Sequence, residues 1–200
     1  PTDLFAILQQ SLGSISVNFE PEVAQKLGQA CVDGIRAFIE ACRKQSDYDY
    51  WEDEKSVELK SDDWATTRLH YLYAFSTDLN TIDQNLETIE MKFASCWPED
   101  IDQTPFQALQ DDIPDFLSFY VDEIVAHVDR VISAEWDRMF VLEPPSWLVD
   151  ESNPLTLILA TIADFMDEDF STALHDSMVK RLNRGLLLFT FTKYLNSLVR

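Results

Sequence analysis

The chain has 200 residues, enough for one or two domains with a sizeable core. Its 46% hydrophobic and 12% aromatic content excludes a disordered chain, and only 4 Gly argue against a turn-rich β fold and a glycine-rich phosphate loop. A formal net charge of −21 argues against nucleic acid and anionic lipid as general partners, because both are bound through Lys and Arg.

In chain order, Leu4, Phe5, Leu8 and Leu12 mark a short opening helix. Glu20-Pro21 then places proline at a helix start, where its missing N–H costs nothing. Behind it Val23, Leu27, Cys31, Ile35, Phe38 and Cys42 form one apolar stripe on a helix predicted to reach about Lys44. Ser46 to Lys60 is polar and charged, interrupted by Tyr48, Tyr50 and Trp51, and reads as a loop, a candidate mobile one. Ser61-Asp62-Asp63 offers N-cap chemistry. Next comes the most regular stripe, Tyr71, Phe75, Leu79, Ile82, Leu86, Ile89 and Phe93, on a helix from Asp63 to Ala94.

Trp97-Pro98 and Thr104-Pro105 bracket a connector. Past Pro114 the spacing of Leu117, Val121, Ile124, Val128 and Val131, continued by Ile132, Trp136 and Met139, predicts a helix packed at a shallow angle. Glu143-Pro144-Pro145 stops it. Asn153-Pro154 starts another, striped by Leu155, Ile158, Leu159, Ile162, Phe165 and Met166, with a weak break around Asp169 to Thr172. The last helix carries Leu174, Met178, Leu182, Leu186, Phe189, Leu195 and Leu198. Within it Leu187 to Thr192 has β-like composition, but its neighbours predict a buried helix face. The expected fold is all-α, with about five to eight helices in a bundle or short stack of bundles. One region covers 1–142, with the loop near 46–60 and the connector near 95–113; a C-terminal bundle covers 143–200.

Cys31 and Cys42, eleven residues apart on one helix, would sit about 16 Å apart, too far for a disulfide. With Cys96 they make an odd set without metal spacing. Free thiols, no signal peptide and no apolar run of membrane-spanning length predict a cytosolic chain. It begins at Pro1 and is read as a piece of a longer protein. The charge is unevenly divided: Ser177 to Arg200 carries +5 and no acid, leaving −26 on residues 1–176. Lys180, Arg181, Arg184 and Lys193 are therefore the candidate contacts for phospholipid or an acidic partner, weighed against a plain surface helix on an acidic chain.

Chemistry has few candidates. Asp111, Asp112 and Asp115, reading DDIPD, match the DDxxD pattern by which helical isoprenoid synthases hold magnesium and a diphosphate. Against this, the second acidic motif is missing, and Pro114 is expected at a helix entrance rather than inside a helix. Asp164, Asp167, Glu168 and Asp169 lack the alternation and glycine of an EF-hand and read as a solvated helix end. His70, His127 and His175 stand singly, without a zinc partner one turn away, and are expected at the surface or its boundary. No nucleophile signature surrounds any Ser, Thr or Cys. No catalytic, metal or cofactor residue is predicted. Trp64, Trp97, Trp136 and Trp147 are expected as core or helix-joint fillers.

Several strings, in order, resemble the Sec-six family of the exocyst. PTDLFAILQQSLGSIS resembles that family's helix entering its C-terminal region. Leu69 to Asp78 resembles its tyrosine-plus-apolar stretch, with Thr77-Asp78 in place of an Asn-Asp or Asn-Asn pair. Ala134 to Trp147 resembles the helix that closes before a Trp-Leu pair, here Trp147-Leu148. Asn153-Pro154, Thr161-Ile162-Ala163-Asp164-Phe165 and Asp169-Phe170 are similar to a TIxDYxxDF signature, with one extra residue between the two acid-aromatic pairs. Phe189, Tyr194-Leu195 and Leu198 resemble the closing YLxxL pattern.

The resemblance implies an elongated rod of stacked helical bundles. It further implies a non-enzymatic scaffold that tethers secretory vesicles to the plasma membrane before SNARE-driven fusion. Other exocyst subunits and SNARE proteins are the implied partners, with peripheral membrane association through the complex. No cofactor and no site residue follows from it. Another vesicle-tethering complex, or the cytokine-induced relatives of the same family, is the neighbouring alternative.

Overall fold

The computed structural model describes residues 20–48, 51, 64–94, 97, 103–140 and 154–198. The opening helix at Leu4–Leu12, the Ser61-Asp62-Asp63 cap, Cys96, the Glu143-Pro144-Pro145 stop and Trp147 lie outside them. Among the described residues the fold is all-helical, without a strand. Five helices run in order: α1 Pro21–Gln45, α2 Trp64–Phe93, α3 Pro105–Phe140, α4 Pro154–Asp164 and α5 Asp176–Leu198. A π-helical turn, Phe165–Phe170, and a single α-turn, Ser171–Ala173, separate α4 from α5. The chain divides into two compact units, Pro1–Leu117 and Ser118–Arg200, and α3 contributes to both.

In the first unit α1 starts at Pro21, as its proline dictates, and ends on Arg43 and Lys44, whose charges suit the C-terminal dipole. Its buried line is not the expected stripe. Ala24, Gly28, Val32, Ile35, Ile39 and Cys42 face inward, while Val23 is 43% exposed. Small residues set this rotation. A Cβ on Gly28 would come within 3.1 Å of Trp97 and 3.4 Å of Phe93 and Phe106, so the bare backbone of α1 seats against the stacked Phe93–Phe106 rings. On α2 the stripe is buried from Leu79 through Ile82, Leu86, Ile89 and Phe93. Before Leu79 the inward face shifts to Arg68, Leu69, Leu72, Tyr73 and Ser76, leaving Tyr71 exposed.

The connector expected to reach residue 113 is helical from Pro105. Thr104 Oγ1 accepts the Gln107 backbone N–H (3.2 Å) and Gln107 Oε1 accepts that of Thr104 (3.0 Å), a reciprocal capping box. The Thr104 hydroxyl also donates to Glu90 Oε1 on α2 at 2.7 Å, tying the start of α3 to its neighbour. Pro114 therefore lies inside α3 rather than at its entrance. An interior proline costs about 3 kcal/mol. Phe106, Leu109, Ile113 and Leu117, all buried on either side of it, each contribute about 1.5–3 kcal/mol by leaving water and carry the helix through.

In the second unit Val121, Ile124, Val128, Ile132, Trp136 and Met139 bury the predicted face of α3, while Val131 is 52% exposed. At Gly185 α5 comes close to α3, since a Cβ there would lie 3.1 Å from Val121 Cγ1. Leu174, Met178, Leu182 and Leu186 bury one side of the last segment. The expectation of a buried face over Leu187–Thr192 is corrected in part. The segment is helical, but Leu187, Leu188 and Phe191 are 73%, 65% and 61% exposed, while it is the Gly185 side of α5 that comes up against Val121 and Val125 of α3. On α4 Ile158 is buried, whereas Leu159, also expected inside, is 52% exposed.

Candidate functional site

The three carboxylates of DDIPD sit on a continuous helix. Asp111 and Asp115 project within about 40° of each other and Asp112 about 100° away from Asp111, at 100° per residue. Asp111 accepts from Gln103 Nε2 at 2.7 Å, and Asp112 is ion-paired with Arg36 Nη2 of α1, also at 2.7 Å. Asp112 is thus engaged by a cation. Among the described residues no group of three or more His, Cys, Asp or Glu side chains is placed to hold a metal ion.

Of the acidic cluster, Asp164 ends α4, and Asp167, Glu168 and Asp169 lie on the π-helical turn. Asp167 and Glu168 are exposed, and their carbonyls accept the hydroxyls of Ser171 (2.6 Å) and Thr172 (2.7 Å). Such bonds from a hydroxyl to the carbonyl four residues back support the helix where a π-turn disturbs the ordinary ladder. Phe165 and Phe170 stack at 5.8 Å and 22°. Residues five apart point to different sides of an α-helix and to nearly the same side of a π-helix, so the wide turn makes this ring pair. The His127 and Phe165 rings are perpendicular, with centroids 6.2 Å apart. His127 is buried, not at the boundary as expected, with Phe165 among the side chains packed near it. His70 and His175 are exposed. His175 Nδ1 accepts the Ser177 backbone N–H at 3.3 Å, and its carbonyl accepts from Met178 and Val179, so it starts α5 after the extended Leu174.

Cys31 and Cys42 are free thiols. Burial raises both above the ordinary thiol range; Cys42 reaches about 11, with the Asp78 carboxylate adding to the effect. Burial also raises the Asp78 carboxyl. Thiols so disposed are poor nucleophiles at neutral pH.

Sequence reasoning missed a buried cation. Arg68 is 1% exposed, and its Nε and Nη2 donate to the Ser46 carbonyl at 2.9 and 2.6 Å, with the guanidinium 5.4 Å from the Tyr48 ring. Trp51, expected in the loop, is 4% exposed and donates from Nε1 to the Gln45 carbonyl at 2.6 Å. Together these side chains fasten the C-terminal end of α1, where carbonyls lack helical partners. Trp97 is half-buried against Gly28 and Trp136 is buried; the Trp64 side chain lies outside the described residues.

The four basic candidates separate into two groups. Lys180, Arg181 and Arg184 are exposed. Lys193 faces inward, paired with Asp129 and lying 5.7 Å from the Trp136 ring and 5.3 Å from that of Phe189. Among the described residues no helix is long and apolar enough to cross a membrane. Compared with protein-family models, curated proteins and solved structures, the chain matches none significantly.

Proposed function

We propose that this chain is part of an exocyst subunit of the Sec-six type, a scaffold that holds secretory vesicles at the plasma membrane by protein–protein contact. The reading combines the order of the resembling strings with an all-helical fold. One observation carries it. Relative to the family's TIxDYxxDF signature, the chain has one extra residue between Asp164-Phe165 and Asp169-Phe170, and the helix widens into a π-turn over Phe165–Phe170. Inserting one residue into an α-helix yields a π-turn. The signature places its aromatics four apart, on one face of an α-helix; here they are five apart, and the wide turn still stacks them. The insertion is thus absorbed with the aromatic pair kept.

The test is affinity purification of the tagged protein that carries this chain, followed by mass spectrometry. Recovery of the other exocyst subunits is the expected result. Recovery of no tethering-complex subunit overturns the proposal; recovery of a different tethering complex replaces the identity and keeps the scaffold role.

A further inference from the structure

The exposed side of α5 sorts by angle into a single stripe. At 100° per residue, Lys180, Arg181, Arg184, Leu187, Leu188, Phe191 and Leu195 fall within an arc of about 120°. All seven are exposed, while Met178, Leu182 and Leu186 on the other side are buried. Along the axis the stripe has two halves: three cations toward the N-terminal end, then four large apolar side chains. Apolar surface left in water favours association, and a contiguous apolar patch of this kind marks a contact surface.

The stripe is a ridge with a groove on each side. One groove, of about 280 Å³, runs between α4 and α5 and is lined by Leu155, Leu187, Thr190, Phe191 and Tyr194. The other lies between α3 and α5 as two adjoining hollows that share Asp122 and Leu188, one of about 270 Å³ with Val121, Arg181 and Arg184 and one of about 520 Å³ with Val125 and Lys193. Ridges bordered by grooves are the surface one helix offers another.

We infer that this stripe receives an amphipathic helix of a protein partner, with apolar side chains over Leu187, Leu188 and Phe191 and acidic residues against Lys180, Arg181 and Arg184. Charge selects this occupant. On a chain of net charge −21, an acid-free stretch carrying three outward cations is a local reversal of sign that complements an acidic segment. A flat anionic bilayer is disfavoured because the exposed carboxylate of Asp122 shares the groove with Arg184, and Asp176 sits exposed one turn before Lys180. A plane would meet both carboxylates; a helix about 10 Å wide need follow only the stripe. A second copy of α5 is disfavoured too. Paired in parallel, the cations repel; paired antiparallel along the whole stripe, they lie over Leu195 and Phe191.

The inference does not depend on the exocyst reading, and its test uses no exocyst protein. The probe is a fluorescein-labelled 21-residue peptide with leucine at positions a and d of three heptads and glutamate at e and g. Its own glutamates keep it from pairing with itself. A counterpart with lysine at e and g keeps the apolar stripe and reverses the charge. Fluorescence anisotropy with the full chain is expected to show saturable binding of the glutamate peptide. Arg181→Glu/Arg184→Glu and Leu188→Ser/Phe191→Ser are each expected to weaken it at least about tenfold. These positions are exposed, so circular dichroism should be unchanged.

Because the whole chain attracts the lysine peptide, tighter binding of the glutamate peptide is a demanding result. Absence of saturable glutamate-peptide binding, equal affinity in the variants, or tighter binding of the lysine peptide overturns the inference. So does co-sedimentation with phosphatidylserine vesicles that the same variants abolish, which assigns the stripe to lipid. A dimer dissociated by Leu188→Ser/Phe191→Ser in sedimentation assigns it to a second copy.

Discussion

A guanidinium removed from water needs oxygen acceptors, and Arg68 takes the carbonyl that ends α1. Ser46 O receives two of its N–H groups while Ser46 itself is fully buried, so neither partner can turn to solvent instead. Methionine at position 68 keeps most of the volume but leaves the carbonyl with neither of these donors. Arg68→Met is expected to destabilise the first unit by about 2–4 kcal/mol, read by urea unfolding and circular dichroism. Arg68→Lys, with one donor group, should recover only part of the loss. A change below about 1 kcal/mol for the methionine variant would show that water replaces the guanidinium. Nothing in the sequence marks this arginine. It stands among Thr66, Thr67 and His70, where a charged side chain ordinarily reads as solvated, and its acceptor lies 22 residues back. A contact between a side chain and a distant carbonyl has no periodicity to detect.

At the scale of elements, the sequence locates most helices well and their rotations less well. The starts at Pro21 and Pro154 were readable because proline at N1 is a local rule. Thr104-Pro105 obeys the same rule, yet the start was expected nine residues later, at Pro114. The capping box there needed Gln107 to be read with Thr104, as a polar residue three positions on. This placement has a measurable consequence. A proline at a helix entrance can become alanine with little change, whereas one in the interior loses a backbone hydrogen bond and propensity. Pro114→Ala is therefore expected to stabilise the chain by about 1–3 kcal/mol, measured by chemical unfolding. No gain would place the helix start at Pro114 after all. On α1 the stripe of bulky residues misjudged the inward side because the contact is made by Ala24 and Gly28. Periodicity weighs hydrophobicity, and close backbone approach is governed by the absence of side chain.

For the molecule as a whole, the division of charge was readable by counting, but the exposed leucines of α5 were not. An apolar residue in a helical pattern is expected inside, and only the three-dimensional packing reveals that α3 comes up against the Gly185 side of α5 while Leu187, Leu188 and Phe191 stay exposed. The same net charge of −21 sets a global prediction. Unpaired carboxylates spread over a folded surface repel one another more than in the expanded chain, which destabilises the compact state. Local ion pairs oppose this weakly: Arg36–Asp112 is about half exposed on both sides, and such pairs are worth roughly 0–1 kcal/mol. Raising NaCl from 10 to 150 mM shortens the screening length from about 30 to about 8 Å and suppresses the long-range repulsion before the contacts. Thermal unfolding followed by circular dichroism should therefore show Tm rising with salt, by a few degrees for a gain of about 1 kcal/mol in a chain of this size. A Tm that falls over the same range would mean that close ion pairs, not the acidic field, dominate the electrostatics of the fold.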